Sequence, residues 1–171
     1  MVNKIIKYVL IALCTAMMAY EFYEGHIGNG IMFILIIAVI VLLLFKHEVN
    51  LIAFFQIRRQ KFESAEKILG WVKHPEQMPK KQEAYYYFLT GLCASQGKNM
   101  SKSEKYFKRA LNAGLNMDHD IAMANLNLAG IAMARRRKRE AMTYLTQVKK
   151  HDPQKLLADQ VKMLKSNMGR I

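Results

Sequence analysis

The sequence predicts an all-α protein: an N-terminal two-helix transmembrane hairpin, then a three-unit α-solenoid closed by a C-terminal capping helix. Three observations lead there. Two uncharged apolar runs lie within the first 45 residues, and small and apolar residues recur every 38 positions in the remainder. The links between the apolar segments of that remainder are polar and carry Pro or Gly. With 171 residues and 52% hydrophobic content, the chain has room for one packed domain and an appendage.

The first apolar run, Tyr8 to Tyr20, has 13 residues and reaches spanning length only if Lys4 and Lys7 snorkel at its start. The second, Ile27 to Phe45, has 19 uncharged residues and extends roughly 28 Å as a helix, which makes it the stronger of the two. Between them, EFYEGHIGNG supplies turn chemistry through Gly25, Gly28, Asn29 and Gly30, and negative charge through Glu21 and Glu24. The domain boundaries that follow are a membrane hairpin over residues 1–45, with residues 5–45 in contact with the lipid bilayer, and a helical repeat domain over residues 46–171.

Lys4 and Lys7 precede the hairpin and Lys46, Arg58, Arg59 and Lys61 follow it, while the connecting loop has neither Lys nor Arg. The positive-inside bias then predicts a multi-pass protein of a bacterial-type inner (plasma) membrane with both termini cytoplasmic. The alternative for the first run is a cleaved secretory signal. No clear A-x-A site follows it, and Leu13 before Cys14 contradicts a lipoprotein signal. Even after cleavage, the second run would keep the rest of the chain on the basic, cytoplasmic side.

The repeat sets the organisation of the polar part. Ala53, Gly91 and Ala129 are 38 residues apart, and Ala65, Ser103 and Ala141 follow each by 12. The same period relates Leu69, Phe107 and Leu145, and then Val72, Ala110 and Val148. A small residue on each of two consecutive helices lets them approach closely, and apolar residues four and seven further on share the same face. Each unit is therefore a helical hairpin closed by a link: HPEQMPKK, NAGLNMDHD and HDPQ. None buries its apolar face alone, so the units stack as a solenoid, at about residues 46–80, 84–118 and 122–153.

These residues resemble the tetratricopeptide repeat family. Tyr87, Gly91, Ser103, Phe107 and Ala110 carry the likeness in the middle unit. Leu128, Ala129, Ala141, Leu145 and Pro153 carry it in the last, and Ala53, Phe62, Ala65 and Leu69 in the first. Pro75 and Pro79 fall outside the register of Pro153, and each link is about four residues longer than the usual repeat allows. Asp152 and Pro153 read as the N-cap and first-turn proline of a capping helix over residues 154–168, with Leu157, Val161, Leu164 and Met168 as its apolar stripe. Its alternative role is dimerisation, which leaves a homo-oligomer open.

The resemblance implies a concave groove lined by first helices, here Asn50, Phe54, Tyr85, Phe88, Leu92, Met123, Leu126 and Met133. It lacks the Lys/Asn pattern with which some family members clamp a C-terminal carboxylate. A protein partner that inserts an apolar helix or extended segment suits it, and the alternative is a groove filled by the terminal helix itself.

Charge marks a second surface. Residues 46–171 hold 24 Lys and Arg against 11 Asp and Glu. In the repeat register, Arg58, Arg59 and Lys61, then Lys98 and Lys102, then Arg135, Arg136, Arg137, Lys138 and Arg139 occupy equivalent turns, so they predict one continuous basic edge. An unbroken helix from Phe45 through Lys46 to Arg58 would hold that edge roughly 20 Å from the membrane, about two Debye lengths. A sharp bend at that junction would lay it on the bilayer. A nucleic acid such as ribosomal RNA fits the charge, as does an acidic protein or a solvated rim with no partner, and no aromatic residues interleave with it for base readout.

Catalytic patterns are absent: there is no phosphate-binding Gly-rich loop, no GxSxG and no paired-carboxylate constellation. The sequence therefore predicts a binding protein, neither an enzyme nor a cofactor carrier. Asp118-His119-Asp120 resembles a metal cluster but precedes the apolar run IAMANLNLAGIAM, so an Asp acting as helix N-cap is the simpler expectation, and no metal site is expected. Cys14 and Cys93 have no partner at metal or disulfide spacing and read as small buried hydrophobes.

Overall fold

The computed structural model describes residues 4–45 and 48–168, and every regular element among them is a helix. Contacts divide the chain into two compact units, Met1–Glu48 and Val49–Ile171. The junction expected to form a continuous helix includes Lys46 and His47, which lie outside the described residues.

In the first unit, α1 (Lys4–Tyr23) and α2 (Ile27–Phe45) leave only Glu24, Gly25 and His26 between them. The ten-residue loop expected from EFYEGHIGNG is thus mostly helix. The Glu24 amide still donates to the Tyr20 carbonyl at 3.0 Å, and the reversal is made at Gly25, whose φ of +80° is left-handed. Gly30, read from sequence as a turn residue, serves a close approach instead: a β-carbon there would lie 2.6 Å from the Phe22 ring. Asn29 donates to Glu21 at 2.9 Å, and Lys7 pairs with Glu48 at 2.6 Å.

Among the described residues one helix is long and apolar enough to cross a membrane, Ile5–Tyr23, with 19 residues and a mean hydropathy of 1.6. The described apolar stretch of α2, Ile27–Val41, is shorter. α1 reaches this length because it continues through Glu21, Phe22 and Tyr23 instead of stopping at Tyr20.

The remaining helices are α3 (Glu48–Arg58), α4 (Phe62–Leu69), α5 (Lys80–Gln96), α6 (Met100–Asn112), α7 (Asp118–Ala134), α8 (Lys138–His151) and α9 (Ala158–Met168), with a single 3-10 turn at Pro75–Gln77. The 38-residue spacing reappears in their boundaries. Helices α4, α6 and α8 start at Phe62, Met100 and Lys138, and α5 and α7 at Lys80 and Asp118. All twelve residues of the four sequence columns are buried.

The contact that places these residues inside is clearest in the middle pair. Phe107 of α6 is fully buried against α5, and a β-carbon on Gly91 would stand 2.9 Å from its ring. Ser103 donates to the Gly91 carbonyl at 3.1 Å, so the small polar residue is satisfied where it is buried. Phe107 also meets Phe88, and Tyr87 stacks on Tyr106 with centroids 6.0 Å apart.

Three short turns close the pairs, and they repeat atom for atom. Gln60, Lys98 and Arg136, again 38 apart, each have φ near +57°. The following amides of Lys61, Asn99 and Arg137 donate to the carbonyls of Gln56, Ala94 and Ala132 at 2.9, 3.0 and 2.8 Å. This is the six-to-one bond of a left-handed helix C-cap, made here without the usual glycine. Asn99 then caps α6 by accepting from the Lys102 amide at 3.0 Å.

Two capping expectations are corrected. α7 starts at Asp118 itself, and its N-cap is Met117, with no side-chain bond. Asp118 instead pairs with His151 at 2.7 Å, tying the start of α7 to the end of α8. Asp152 does not begin a helix at Gln154. Its carboxylate accepts the Leu156 and Leu157 amides at 2.9 and 2.8 Å, closing a turn with Lys155 at φ +57°, and α9 starts only at Ala158.

Gly91→Leu should cost at least about 1–3 kcal/mol by overpacking Phe107; thermal unfolding at the wild-type temperature would contradict this contact. Lys98→Gly and Arg136→Gly should leave the fold intact and raise the unfolding midpoint slightly. Relief of about 1 kcal/mol of left-handed strain is partly offset by glycine's flexibility, and a clear loss of stability would contradict the turn geometry.

Candidate interaction surface

The expected groove residues divide between surface and interior. Phe54 and Tyr85 lie 6.5 Å apart between centroids, and Tyr85 stacks on Phe88 at 6.0 Å, so α3 and α5 form one aromatic row. Phe54, Tyr85, Leu92 and Met123 remain partly exposed along it. Burial pushes the Tyr85 hydroxyl up to about 12, with a further push from the charge of Asp120. Tyr85 is therefore a neutral hydroxyl across the physiological range.

Asn50, Phe88, Leu126 and Met133 are buried instead. The Asn50 amide donates to the Gln82 carbonyl at 2.9 Å, which binds α3 to the start of α5, while its own side-chain oxygen is buried without a partner among the described residues. Leu126 and Met133 share a cluster with Leu157, Val161 and Met168. At the third unit, then, α9 covers the residues expected to be open.

Beside that cluster is a cleft of about 440 Å³. Ser95, Lys98, Met100 and Ser103 form one wall, Leu126, Asn127, Gly130 and Ile131 the floor, and Gln160, Met163 and Leu164 of α9 the other wall. Met100 and Met163 are 48% and 58% exposed, so two flexible thioethers face water across an apolar floor. Gly130 is the floor's open point. A β-carbon there meets nothing within 4 Å, so the glycine relieves no internal clash, while mid-helix Gly costs about 0.5–1 kcal/mol relative to Ala. Asn127 accepts from Ser95 at 3.2 Å and donates to the Met123 carbonyl at 2.9 Å.

The ten basic residues of the expected edge are not equivalent. Lys102 pairs with Glu66 of α4, and Arg135 with Glu104 of α6, each at 2.5 Å. Glu66 and Glu104 are 38 residues apart, so each unit offers one carboxylate to a cation of the next. Around Glu104 the pairing becomes a network: Lys108 at 2.7 Å, Arg137 at 3.3 Å, and Glu140, which meets Lys108 and Arg137 in turn. Arg135 also donates to Ser101 at 2.8 Å, and Arg58 lies over the Phe54 ring. Arg59, Lys61, Lys98, Arg136, Lys138 and Arg139 are exposed and form no ion pair with the described residues. Sequence reasoning missed the network, although the recurrence of Glu at positions 66 and 104 was visible.

The Glu104 carboxyl is held below its ordinary value by the Lys108 hydrogen bond first, opposed by burial and reinforced by the charges of Lys108, Arg135 and Arg137. Cys93 faces a second cleft, of about 500 Å³, between α5 and the α3–α4 turn, and burial raises its thiol to about 11. That thiol is inert at neutral pH. Among the described residues no group of three His, Cys, Asp or Glu is arranged to hold a metal ion.

Comparison with protein-family models, curated proteins and solved structures finds no match to this chain.

Glu104→Gln should destabilise by about 1 kcal/mol at neutral pH. Because the folded carboxyl titrates below the unfolded one, the network stabilises above the ordinary carboxylate range and loses this contribution as pH falls through the folded value. The stability gap between variant and wild type should therefore close in acid, and an unchanged gap would contradict the network.

Proposed function

We propose that the chain is a membrane-anchored scaffold or assembly factor, without enzymatic activity, which presents a tetratricopeptide-like α-solenoid to a protein partner. The observation that carries this reading is the open cleft between α7 and α9, with its two exposed methionines and its mid-helix glycine next to empty space. Such a floor suits the apolar face of a helix or extended segment. The solenoid itself is supported by the shared 38-residue spacing of helix starts, left-handed turns and buried columns.

In this reading α1 and α2 form a two-helix membrane hairpin with both termini in the cytoplasm of a bacterial-type inner membrane. The apolar stretches Ile5–Tyr23 and Ile27–Val41, the three-residue reversal and the Lys7–Glu48 pair support it, together with the Lys and Arg residues flanking the hairpin. A reporter fused at the C terminus should then behave as cytoplasmic, and periplasmic activity would overturn the topology.

Docking through the cleft is tested by Gly130→Phe, whose β-carbon has open space and whose ring enters the cleft. It should preserve helicity and unfolding temperature while abolishing co-purification of the partner in mild detergent; an unchanged partner set would refute the cleft as the docking site. A second reading, contact with RNA or the ribosome, is favoured by the exposed basic residues of the three turns. Changing Arg136, Lys138 and Arg139 to Gln leaves the Glu104 network in place and separates the two. A phosphate contact weakens with a steep salt dependence, whereas an apolar helix in the cleft is nearly indifferent.

A further inference from the structure

We propose that the exposed face of α3, centred on Ile52 and Phe55, lies in the interfacial layer of the bilayer that holds the chain, so that the first repeat unit is capped by lipid. The inference rests on the reading of α1 and α2 as membrane-embedded, and it concerns the unit that begins just after them.

The repeat defines what this face is. In α5, Tyr86 donates to the Leu69 carbonyl at 3.1 Å, and Cys93 faces the α3–α4 turn, so this side of the helix meets the preceding unit. The equivalent positions in α7, 38 residues on, are Ala124, Leu128 and Ile131. Ala124 and Leu128 are buried in the cluster that contains Phe107 and Ala110, and Ile131 faces Met100. In both helices these positions are therefore a stacking face. Carried back 38 residues, Thr90 and Cys93 become Ile52 and Phe55, in a helix that no repeat unit precedes. There the stacking face is open, with Ile52 44% and Phe55 56% exposed.

A terminal unit of a soluble solenoid presents a polar outer face. This one presents an isoleucine and a phenylalanine one turn apart, which demands a cover. Connectivity and charge specify which. The apolar helix α2 ends at Phe45 and α3 starts at Glu48; three residues of chain reach at most about 10 Å. α3 thus starts at the edge of whatever apolar phase α2 occupies. Exposed Arg58 and Arg59 at its end and Lys61 beyond are placed for anionic headgroups, and an amphipathic helix in this layer buries its apolar face about 5–10 Å deep. A second copy is the weaker cover, since residues 46–171 carry an excess of 13 positive charges and like surfaces repel.

The test uses the full-length protein in vesicles of phosphatidylcholine and phosphatidylglycerol, with and without brominated acyl chains. The chain has one tryptophan, Trp71, which is exposed. Replacing it by Phe clears the background for two single-tryptophan variants, Phe55→Trp and Val39→Trp. The expected result is that Trp at 55 emits at shorter wavelength than an exposed indole, resists acrylamide and loses emission to brominated lipid. Water-like emission that acrylamide quenches overturns the proposal. So does blue-shifted emission that brominated lipid leaves untouched, which would mean that protein covers the face, from this chain or another copy. Val39→Trp, within α2, reports the underlying reading separately. Quenching at 39 without quenching at 55 refutes the lipid cap alone, and quenching at neither position refutes both.

Discussion

The ring of Phe107 lies so close to Gly91 that a β-carbon there would stand 2.9 Å from it. The rest of the repeat domain depends on that close approach. With no side chain between them, α5 and α6 come near enough for Ser103 to reach a backbone carbonyl and for Phe107 to be fully buried. Alanines stand at the corresponding positions of the other two units, Ala53 and Ala65 in the first and Ala129 and Ala141 in the third, all fully buried.

In so basic a chain, two carboxylates 38 residues apart each meet a cation of the following helix pair. Glu66 receives Lys102, and Glu104 receives Arg135 and Arg137. The dense run at residues 135–139 is thereby split by function. Two of its members hold adjacent units together, and Arg136, Lys138 and Arg139 face water. Arg136 occupies the left-handed position of its turn, equivalent to Lys98 and Gln60. Glycine would fit each of these positions with less strain, so polar side chains are present there at a local conformational cost.

The two ends of the domain differ. At the C-terminal end, Leu157 and, in α9, Val161 and Met168 are buried in one cluster with residues of α7 and α8, beside the cleft at Gly130. At the N-terminal end, α3 leaves Ile52 and Phe55 open on the side where α5 and α7 are covered.

The helical class, the 38-residue period and the inward columns were legible in the sequence, because close packing demands small and apolar residues at fixed spacing and composition records that demand. The apolar character of the first 45 residues was legible for the same reason. Tertiary structure decided what periodicity cannot carry. It turned Asn50, Phe88, Leu126 and Met133 from the groove to the interior, since a residue's face depends on which neighbour a helix leans against. It delayed α9 to Ala158, because Asp152 closes a turn with its carboxylate before the helix starts. It paired Arg135 with a glutamate 31 residues away, joining two charges that the linear sequence only counts. Spacing specifies which residues must be buried, and only the packed chain specifies what each is buried against.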